Sequence, residues 1–496
     1  MVTSRAPRMP TRMGPVCHQR RCRTLRRGRC EPEQSGRRHS TRQTAFSTEP
    51  RRSRSGFSVA GRAAPPARRR PPARVEGALM GNAPPGGATA VARTDSEAEG
   101  LFGQIMMDPT IEDPYSGYRE IRHRAPALLT SNGTLVLTTH AECDAALRHR
   151  ALGKGNEIQT FRLRPIPEDD LRELMDRLER SMSFANPPDH SRLRRVVSSA
   201  FTHRHIESLR PAVTERVDAL LDGLLAEPGA DFMAGFARPL PLGVVGDLLG
   251  IPEEDRGGFG VQVAAQAAMV EPSADADTLA RAITAESELA AYFTALLARK
   301  RERPADDLLS RLASPRSAET LDEAEMVSTA LLLLGAGIET TGHLLGNTLH
   351  TLLRHPGELA RLRRDPALIP GAVEEVLRFD SPVQFDARTV LEPVTVAGAD
   401  LEPGQTVTLL LGSANYDPGR FPDPETFDVT RTDNPHLSFA AGIHFCLGAG
   451  LARLEVAVFL RRLLERTRSV ELADEPQRRP SFGLRGLERM PVILRP

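Results

Sequence analysis

The sequence predicts a mainly α-helical protein with a minor β component, built as one large domain preceded by a disordered tail. Helical spacing of apolar residues dominates from about residue 140 to Arg378, whereas strand-like alternation is confined to short segments. Residues 1–96 are rich in Arg, Pro, Ser and Gly and have no apolar periodicity. Such a segment cannot bury enough surface to offset the entropy of ordering it. We therefore expect disorder over residues 1–96 and a single domain over residues 97–496.

The tail differs from the rest of the chain in charge. Residues 1–80 hold 20 Arg, no Lys and four acidic residues, whereas the whole chain has a net charge of only +1. This composition is compatible with a targeting segment or an arm that binds nucleic acid. A metal knuckle would use Cys17, Cys22, Cys30 and His39, but it lacks the paired short spacing of zinc ligands. We favour a fourth interpretation, upstream sequence with Met80 as the true start, and expect no nucleic-acid partner.

The Cys residues and the apolar runs exclude two classes of protein. Three of the five Cys lie in the tail, which leaves only Cys143 and Cys446 in the domain. A disulfide scaffold is therefore excluded, and a reducing cytoplasm is the expected compartment. The longest apolar run, residues 330–338, is far shorter than the roughly 18 residues that a membrane-spanning helix needs.

Strands are expected in two regions. Residues 127–139 contain two short apolar runs joined by Asn132-Gly133, a dipeptide typical of tight hairpin turns. A second strand-rich segment covers residues 394–411, and one last helix is expected over residues 447–467.

Cys446 lies where a thiol becomes a good metal ligand. Helical periodicity begins just after it, and the unpaired N–H groups and dipole of a helix N-terminus favour the thiolate. Gly442 permits a turn that a side chain would obstruct, and Gly448 removes a Cβ where a flat group could approach. Phe439 could shield the sulfur from water. From these residues alone, a buried inert Cys with nearby glycines remains an alternative.

A long helix is predicted over residues 321–354, opened by a capping box at residues 320–323. At 1.5 Å per residue it would span about 50 Å. Small and polar residues interrupt its apolar middle: Gly335, Gly337, Glu339, Thr340 and Thr341. Packing alone does not require such residues, so this segment is either a kink at a close helix contact or part of a catalytic site.

The two segments together resemble known motifs. The pattern F-x-x-G-x-x-x-C-x-G, filled by Phe439, Gly442, Cys446 and Gly448, is similar to the haem-binding loop of the cytochrome P-450 superfamily, in particular of its soluble bacterial, ferredoxin-dependent members. Residues 336–341 (AGIETT) resemble the acid-alcohol motif of that family. The resemblance implies one helical domain around a buried haem b, with Cys446 as the axial ligand of the iron and Phe439 and Gly448 beside the cofactor. Thiolate ligation suits oxygen activation.

The resemblance also assigns functions to residues around the cofactor. Glu339 would relay protons from solvent, and Thr340 would hydrogen-bond either a carbonyl one turn back or the reacting oxygen. The haem propionates need cationic or hydrogen-bonding partners in a poorly solvated pocket. The positions of those partners in the family are filled here by His190, Arg194, Arg388 and His444.

A structural triad and two departures complete the comparison with the family. Glu375 and Arg378 lie three residues apart on one helical face, and in the family such a pair joins an Arg of the following meander, here Arg431, to hold the Cys loop. Ala440 stands where bacterial members usually carry Gly, and Tyr416 replaces the Arg of an N-R-D-P segment.

The resemblance implies a monooxygenase that inserts one atom of O2 into a small hydrophobic molecule such as a secondary metabolite, a terpenoid or a steroid. Residues 153–184, taken as a loop, would line the entrance. The sequence contains no flavin or iron–sulfur motif, so a separate ferredoxin and ferredoxin reductase would supply electrons, docking on the Cys446 side near Arg192 or Arg195. We expect a cytoplasmic monomer. Two alternatives remain: a haem-thiolate enzyme that uses peroxide or couples rings, and a non-enzymatic haem sensor.

Overall fold

The computed structural model describes residues 90–108, 110–155, 166–269, 271–314 and 321–496. The candidate metal knuckle and Met80 lie outside these residues. Residues 92 and 93 are already part of the domain. The Ala92 N–H donates to the Ala397 carbonyl at 2.6 Å, and Arg93 forms a parallel β-bridge with Leu128. These contacts lie before residue 97, where we predicted that the domain begins. Backbone pairing of this kind cannot be read from composition.

Helices make up most of the described domain, as predicted. In chain order the α-helices are α1 (Ser96–Met107), α2 (Tyr115–Arg124), α3 (His140–Arg148), α4 (Glu168–Glu179), α5 (Asp189–Ser198), α6 (His203–Ser208), α7 (Arg210–Ala226), α8 (Pro239–Leu249), α9 (Phe259–Ala268), α10 (Ala276–Glu302), α11 (Leu308–Leu312), α12 (Glu323–Arg354), α13 (Pro356–Arg364), α14 (Ile369–Phe379), α15 (Leu411–Ala414) and α16 (Ala449–Arg466). The last of these confirms the predicted C-terminal helix, one to two residues shorter at each end.

Within the described residues, the strands form one larger sheet and three two-stranded sheets. The strands are β1 (Ala127–Leu129), β2 (Leu135–Leu137), β3 (Leu152–Gly153), β4 (Asp386–Val390), β5 (Val394–Val396), β6 (Ala399–Leu401), β7 (Thr406–Leu409), β8 (Ser469–Leu472), β9 (Gln477–Arg478), β10 (Leu487–Arg489) and β11 (Val492–Arg495). The larger sheet has the order β1-β2-β7-β4-β3, with β2 and β7 parallel and the other pairs antiparallel. The smaller sheets pair β5 with β6, β8 with β11 and β9 with β10.

Both predicted strand regions are confirmed, since β1 and β2 form a hairpin and β5, β6 and β7 fall within residues 394–411. The sequence did not predict β4. Its Asp386 and Arg388 place charged groups in a strand that is largely buried, and such a strand lacks the apolar alternation on which the prediction depends.

The long helix α12 passes through the main hydrophobic core and packs against α8, α9, α10, α14 and α16. Its 32 residues correspond to about 48 Å. The capping box lies at Asp322 and Glu325, each side chain accepting a hydrogen bond from the backbone N–H of the other. The predicted capping box at residues 320–323 was therefore displaced by two residues. Of the described helices, none is both long and apolar enough to cross a membrane.

We predicted one loop over residues 153–184, but this segment contains α4. Residues 156–165 are not among the described residues. Three acidic residues occupy the first turn of this helix, where the helix dipole favours them, and its buried side chains are Leu174 and Met175. The charged residues Asp169 and Asp170 thus belong to an exposed helix start and not to the entrance wall. Leu171, Leu174 and Leu178 follow helical spacing, a signal that the sequence already contained.

Candidate active site

Cys446 ends a tight loop just before α16. Its N–H donates to the Phe439 carbonyl at 3.0 Å, which closes the loop. Gly442 has φ 71°, and a Cβ at this position would clash with the Leu147 carbonyl oxygen. Only glycine fits this turn, as the sequence indicated. A Cβ on Gly448 would have open space around it, because no described atom beyond the neighbouring residues of the same segment lies within 4 Å.

Opposing effects act on the Cys446 thiol. The pKa of the thiol is raised overall, because burial outweighs the hydrogen bonds from the N–H groups of Gly448 and Ala449 and the charges of Arg194 and Arg453, which lower it. The groups that favour the thiolate are those of a helix N-terminus flanked by two cations. A cationic metal at the sulfur would add to their effect.

Cys446 faces the centre of α12 across open space. Two adjoining cavities, of about 210 and 390 Å³, share Cys446, Phe439 and His444 on one wall and Ala336 and Thr340 on the other. The Thr340 hydroxyl donates to the Ala336 carbonyl at 2.7 Å, one of the two partners expected for it. The two segments singled out in the sequence, which lie far apart along the chain, therefore form opposite walls of one site.

Glu339 lies beside this space and is held by two side chains that the sequence analysis did not identify. It is 6% exposed and accepts a hydrogen bond from Arg479 at 2.6 Å, with His343 Nε2 at 3.4 Å. Burial alone would raise the pKa of Glu339, but His343 and Arg479 outweigh burial and lower it. His343 was identifiable as the residue one turn on in α12, whereas Arg479 lies 140 residues away in sequence.

Three buried nitrogen atoms near the edge of the site lack a hydrogen-bond partner among the described residues. The rings of His190 and His444 lie 4.3 Å apart, and the Nε2 atom of each is buried. Arg388 donates from Nη1 to Asp386 at 2.7 Å, while its Nη2 is also buried. Within the described chain none of these three nitrogens has a hydrogen-bond partner. Native proteins rarely bury such groups unpaired, so an anionic group is expected to bind here.

Cationic side chains surround His444 at this edge. Burial lowers the pKa of His444 to about 3, and the charges of His190 and Arg388 act in the same direction. Asp386, which competes for Arg388, is also bound by Lys154 Nζ at 2.7 Å. The sequence analysis missed both Lys154 and Asp386.

Arg194 is placed differently from the other propionate candidates. It lines the same cavity, but its guanidinium donates to the carbonyls of Ile443 and Phe445 at 3.0 and 2.7 Å. These bonds tie α5 to the loop before Cys446. Arg194 therefore already has acceptors within the chain, unlike His190.

The structural triad is present as predicted. Arg378 donates from Nε and Nη2 to Glu375 at 2.8 and 2.7 Å, and Arg431 reaches the same carboxylate at 3.2 Å. The cluster fixes the meander that precedes the Cys loop, because Arg378 also donates to the carbonyls of Asn415 and Pro424.

The two departures from the family pattern have structural consequences. Tyr416 donates to the Phe379 carbonyl at 2.7 Å and stacks on Tyr115, with 4.3 Å between ring centroids. Ala440 has φ 54°, a left-handed conformation that is costly for any residue with a Cβ. This explains why glycine suits the position better.

The residues of the site fit haem. Cys446 offers a sulfur ligand, the flanking cavities run beneath Ala336 and Thr340, and unpartnered nitrogens of His190 and Arg388 suit the two carboxylates of the porphyrin. Phe439 lines both cavities and stacks under the Arg453 guanidinium, 4.5 Å from its ring centroid.

Comparison with known proteins agrees with this geometry. The Cytochrome P450 family model matches residues 294–488. The Biotin biosynthesis cytochrome P450 of Bacillus subtilis (strain 168) is 39% identical over 393 residues, which cover 77% of this chain and 96% of the relative. The Cytochrome P450 monooxygenase PikC of Streptomyces venezuelae is 39% identical over 392 residues, covering 77% and 91%.

Solved structures show the same fold. P450BioI, crystallised in complex with an acyl carrier protein carrying hexadec-9Z-enoic acid, superposes with a TM-score of 0.71 at 37% identity, over 77% of this chain and 98% of that one. Ligand-free CYP164A2 of Mycobacterium smegmatis gives 0.72 at 34% identity, over 80% and 100%. Proteins of this family use haem b, the group that the site fits. The chain therefore belongs to the cytochrome P450 family of haem-containing monooxygenases.

Proposed function

We propose that this enzyme inserts one atom of O2 into a small hydrophobic substrate, with Cys446 as the ligand of the haem iron. The observation that carries the proposal is that Cys446, Thr340 and His444 line the same two cavities. Buried nitrogens of His190, of His444 and of the nearby Arg388 have no partner in the described chain. His190, His444 and Arg388 would bind the propionates, and Arg194 would support them while holding the Cys loop. Haem, when bound, supplies the redox chemistry that activates O2.

Glu339 and Thr340 deliver protons in this proposal. Thr340 presents its hydroxyl to the cavity shared with Cys446, and Glu339 lines a neighbouring cavity next to Thr340. Because the pKa of Glu339 is lowered, its carboxylate is ready to accept a proton that arrives from solvent. The pair with Arg479 keeps Glu339 in place between transfers.

The substrate binds in a third cavity of about 220 Å³, which we call the distal cavity, beside Ala336 and Thr340. Its wall includes Leu178, Phe184 and Leu331, which favours an apolar scaffold. Relatives in secondary metabolism, such as 6-deoxyerythronolide B hydroxylase, support a secondary-metabolite, terpenoid or steroid-like substrate.

Electrons come from a separate ferredoxin and its reductase in this proposal. On the Cys446 side, Ile443 and Phe445 are 52% and 41% exposed and Arg195 is exposed, which suits a small acidic partner. Arg192 is a poorer docking residue than expected, since Glu325 and Asp189 already pair with it. We place the enzyme in the cytoplasm from its Cys usage and begin its catalytic domain near residue 90.

Reconstitution with a ferredoxin, its reductase and NADPH tests the proposal on a panel of terpenoid, steroid and macrolide compounds. We expect ¹⁸O from ¹⁸O2 in the product, and we expect Thr340→Ala to divert electrons into hydrogen peroxide while haem content stays unchanged. Turnover that requires added hydrogen peroxide and never proceeds from O2 would favour the peroxide-using alternative instead.

A further inference from the structure

A buried polar cluster lines the otherwise mostly apolar distal cavity, and proton delivery does not explain it. The cluster consists of Arg177 on α4, Gln266 on α9 and Glu286 on α10. Polar groups in such a cavity are costly unless a ligand or the protein satisfies them.

Glu286 is the centre of the cluster. It is 3% exposed, and its Oε2 accepts a hydrogen bond from Gln266 Nε2. Its Oε1 lies 4.0 Å from Arg177 Nε, too far for a hydrogen bond. Burial raises the pKa of Glu286, opposed by Gln266 and Arg177. The carboxylate therefore has unused acceptor capacity in a poorly solvated wall.

Its two neighbours each have one unsatisfied atom. The terminal nitrogens of Arg177 donate to Glu173 and Ser287 at 2.6 and 3.1 Å, which leaves the buried Nε without an acceptor in the described chain. The amide of Gln266 must turn its NH2 group to Glu286, since a carboxylate only accepts. Gln266 Oε1 is consequently buried without a donor among the described residues.

Gly335 makes room for this arrangement. A Cβ at position 335 would lie 2.5 Å from Gln266 Oε1, closer than side chains tolerate. One of the interruptions in the apolar sequence of α12 thus has a packing reason, because glycine allows Gln266 to reach over the helix into the wall of the cavity.

We propose that the Arg177–Gln266–Glu286 cluster binds a hydroxyl group of the substrate, so that the substrate class is a hydrophobic alcohol; this inference rests on the proposed function. A single hydroxyl oxygen between Arg177 Nε and Glu286 Oε1 can accept from the first and donate to the second, and their 4.0 Å separation leaves room for two normal hydrogen bonds.

Other polar groups fit the cluster less well. An ammonium group has no lone pair for Arg177, and an ether or ketone has no hydrogen for Glu286. A carboxylate would meet the negative charge of Glu286. A site built to hydrogen-bond a hydroxyl rejects analogues that lack it, because its buried groups are then left unpaired.

Matched ligand pairs test the proposal. Decan-1-ol, borneol and testosterone are each titrated into the haem-loaded enzyme beside their methyl ethers, and Kd is read from the change in the haem absorption spectrum. We expect at least one alcohol to bind about tenfold more tightly than its ether. If none of the three alcohols binds more tightly than its ether, the proposal is wrong. Tighter binding of decylammonium than of decan-1-ol would equally overturn the assignment to a hydroxyl.

Three variants assign the preference to the cluster. Glu286→Met should abolish the preference for the alcohol and leave the affinity for the ether unchanged, while Glu286→Gln, which keeps an acceptor, should retain part of it. Glu288→Met is the matched control, because Glu288 accepts a hydrogen bond from Gln262 at 2.7 Å on the same two helices but is exposed. The ratio of the ether Kd to the alcohol Kd in this variant should equal that of the wild type. Equal weakening of alcohol and ether in Glu286→Met would indicate a merely structural role and contradict the proposal. The absorption spectrum of the reduced enzyme with carbon monoxide is recorded for each variant. A failure of the proposed function would change this haem spectrum, whereas a failure of the hydroxyl site alone would leave it unchanged.

Discussion

Replacing Glu375 by Gln removes one negative charge from the interior and leaves the side-chain volume nearly unchanged. Glu375 is 0% exposed and receives hydrogen bonds from Arg378, from Arg431 and from Asn434 Nδ2 at 3.0 Å. The Arg378 guanidinium is also fully buried. A Gln side chain keeps one acceptor oxygen, but its NH2 group would face N–H donors of the surrounding side chains.

The expected loss is large because the change leaves a buried cation without its counter-ion. Removing one partner of a buried ion pair costs about 3–5 kcal/mol. The adjacent Glu374 offers a matched control, since it is 30% exposed and pairs with Arg453 at 2.7 Å and with His436 at 3.0 Å. Water screens a pair at that exposure, so we expect Glu374→Gln to cost about 1 kcal/mol or less.

Urea unfolding of the haem-loaded protein, followed by circular dichroism and by haem absorption, measures both changes. We expect Glu375→Gln to lower the unfolding free energy by several times the loss in Glu374→Gln. We also expect it to loosen the Cys loop, which would broaden the Soret band of the carbon monoxide complex. Equal losses in the two variants, or a loss below about 1 kcal/mol for Glu375→Gln, would show that burial does not make the charge of Glu375 important for stability.

Three further changes test other parts of the structure. Ala440→Gly relieves a left-handed alanine at φ 54° and should be about 1 kcal/mol more stable than Ala441→Gly, whose φ of −151° needs no glycine; urea midpoints in the reverse order would contradict this. Burial raises the pKa of Glu455 to about 8, so the stability that its neutral form contributes is present below about pH 4.5 and is lost as pH rises through 8. Thermal unfolding should therefore show that Glu455→Gln loses less stability than the wild type between pH 6 and pH 9 (roughly the upper part of that window). An equal loss of stability in the two proteins would show that burial does not raise the pKa of Glu455. Arg479→Met removes a cation that lowers the pKa of Glu339, so the acid limb of the pH–rate profile should move to higher pH, and an unmoved limb would show that Arg479 does not act on Glu339.

The parts of the site that the sequence could predict are those set by short local patterns. Gly442 and Cys446 belong to a loop closed by its own backbone, and Thr340 bonds a carbonyl one turn back in the same helix. In both cases the chemistry and the geometry come from residues within one segment. For the same reason, the hairpin at Asn132-Gly133 was predicted correctly.

The parts that could not be predicted depend on contacts between distant segments. Arg479 reaches Glu339 across 140 residues, and Lys154 reaches Asp386 across 232. An isolated Arg or Lys in a sequence gives no indication of its partner, because most surface cations are simply solvated. The cluster around Glu286 is of the same kind, since α4, α9 and α10 meet only in the folded domain.

In the proposed function Cys446 supplies a thiolate to the haem iron, and the absorption spectrum of the dithionite-reduced protein with carbon monoxide is the decisive experiment for this role. We expect a strongly red-shifted Soret band in the wild type and the loss of that band in Cys446→Ala. Cys143→Ala is the control, because it removes a buried thiol that donates a hydrogen bond to the Leu137 carbonyl. This variant should keep the band. If the carbon monoxide complex absorbs at the position typical of His-ligated haem, or if the folded protein binds no haem, Cys446 is not the ligand.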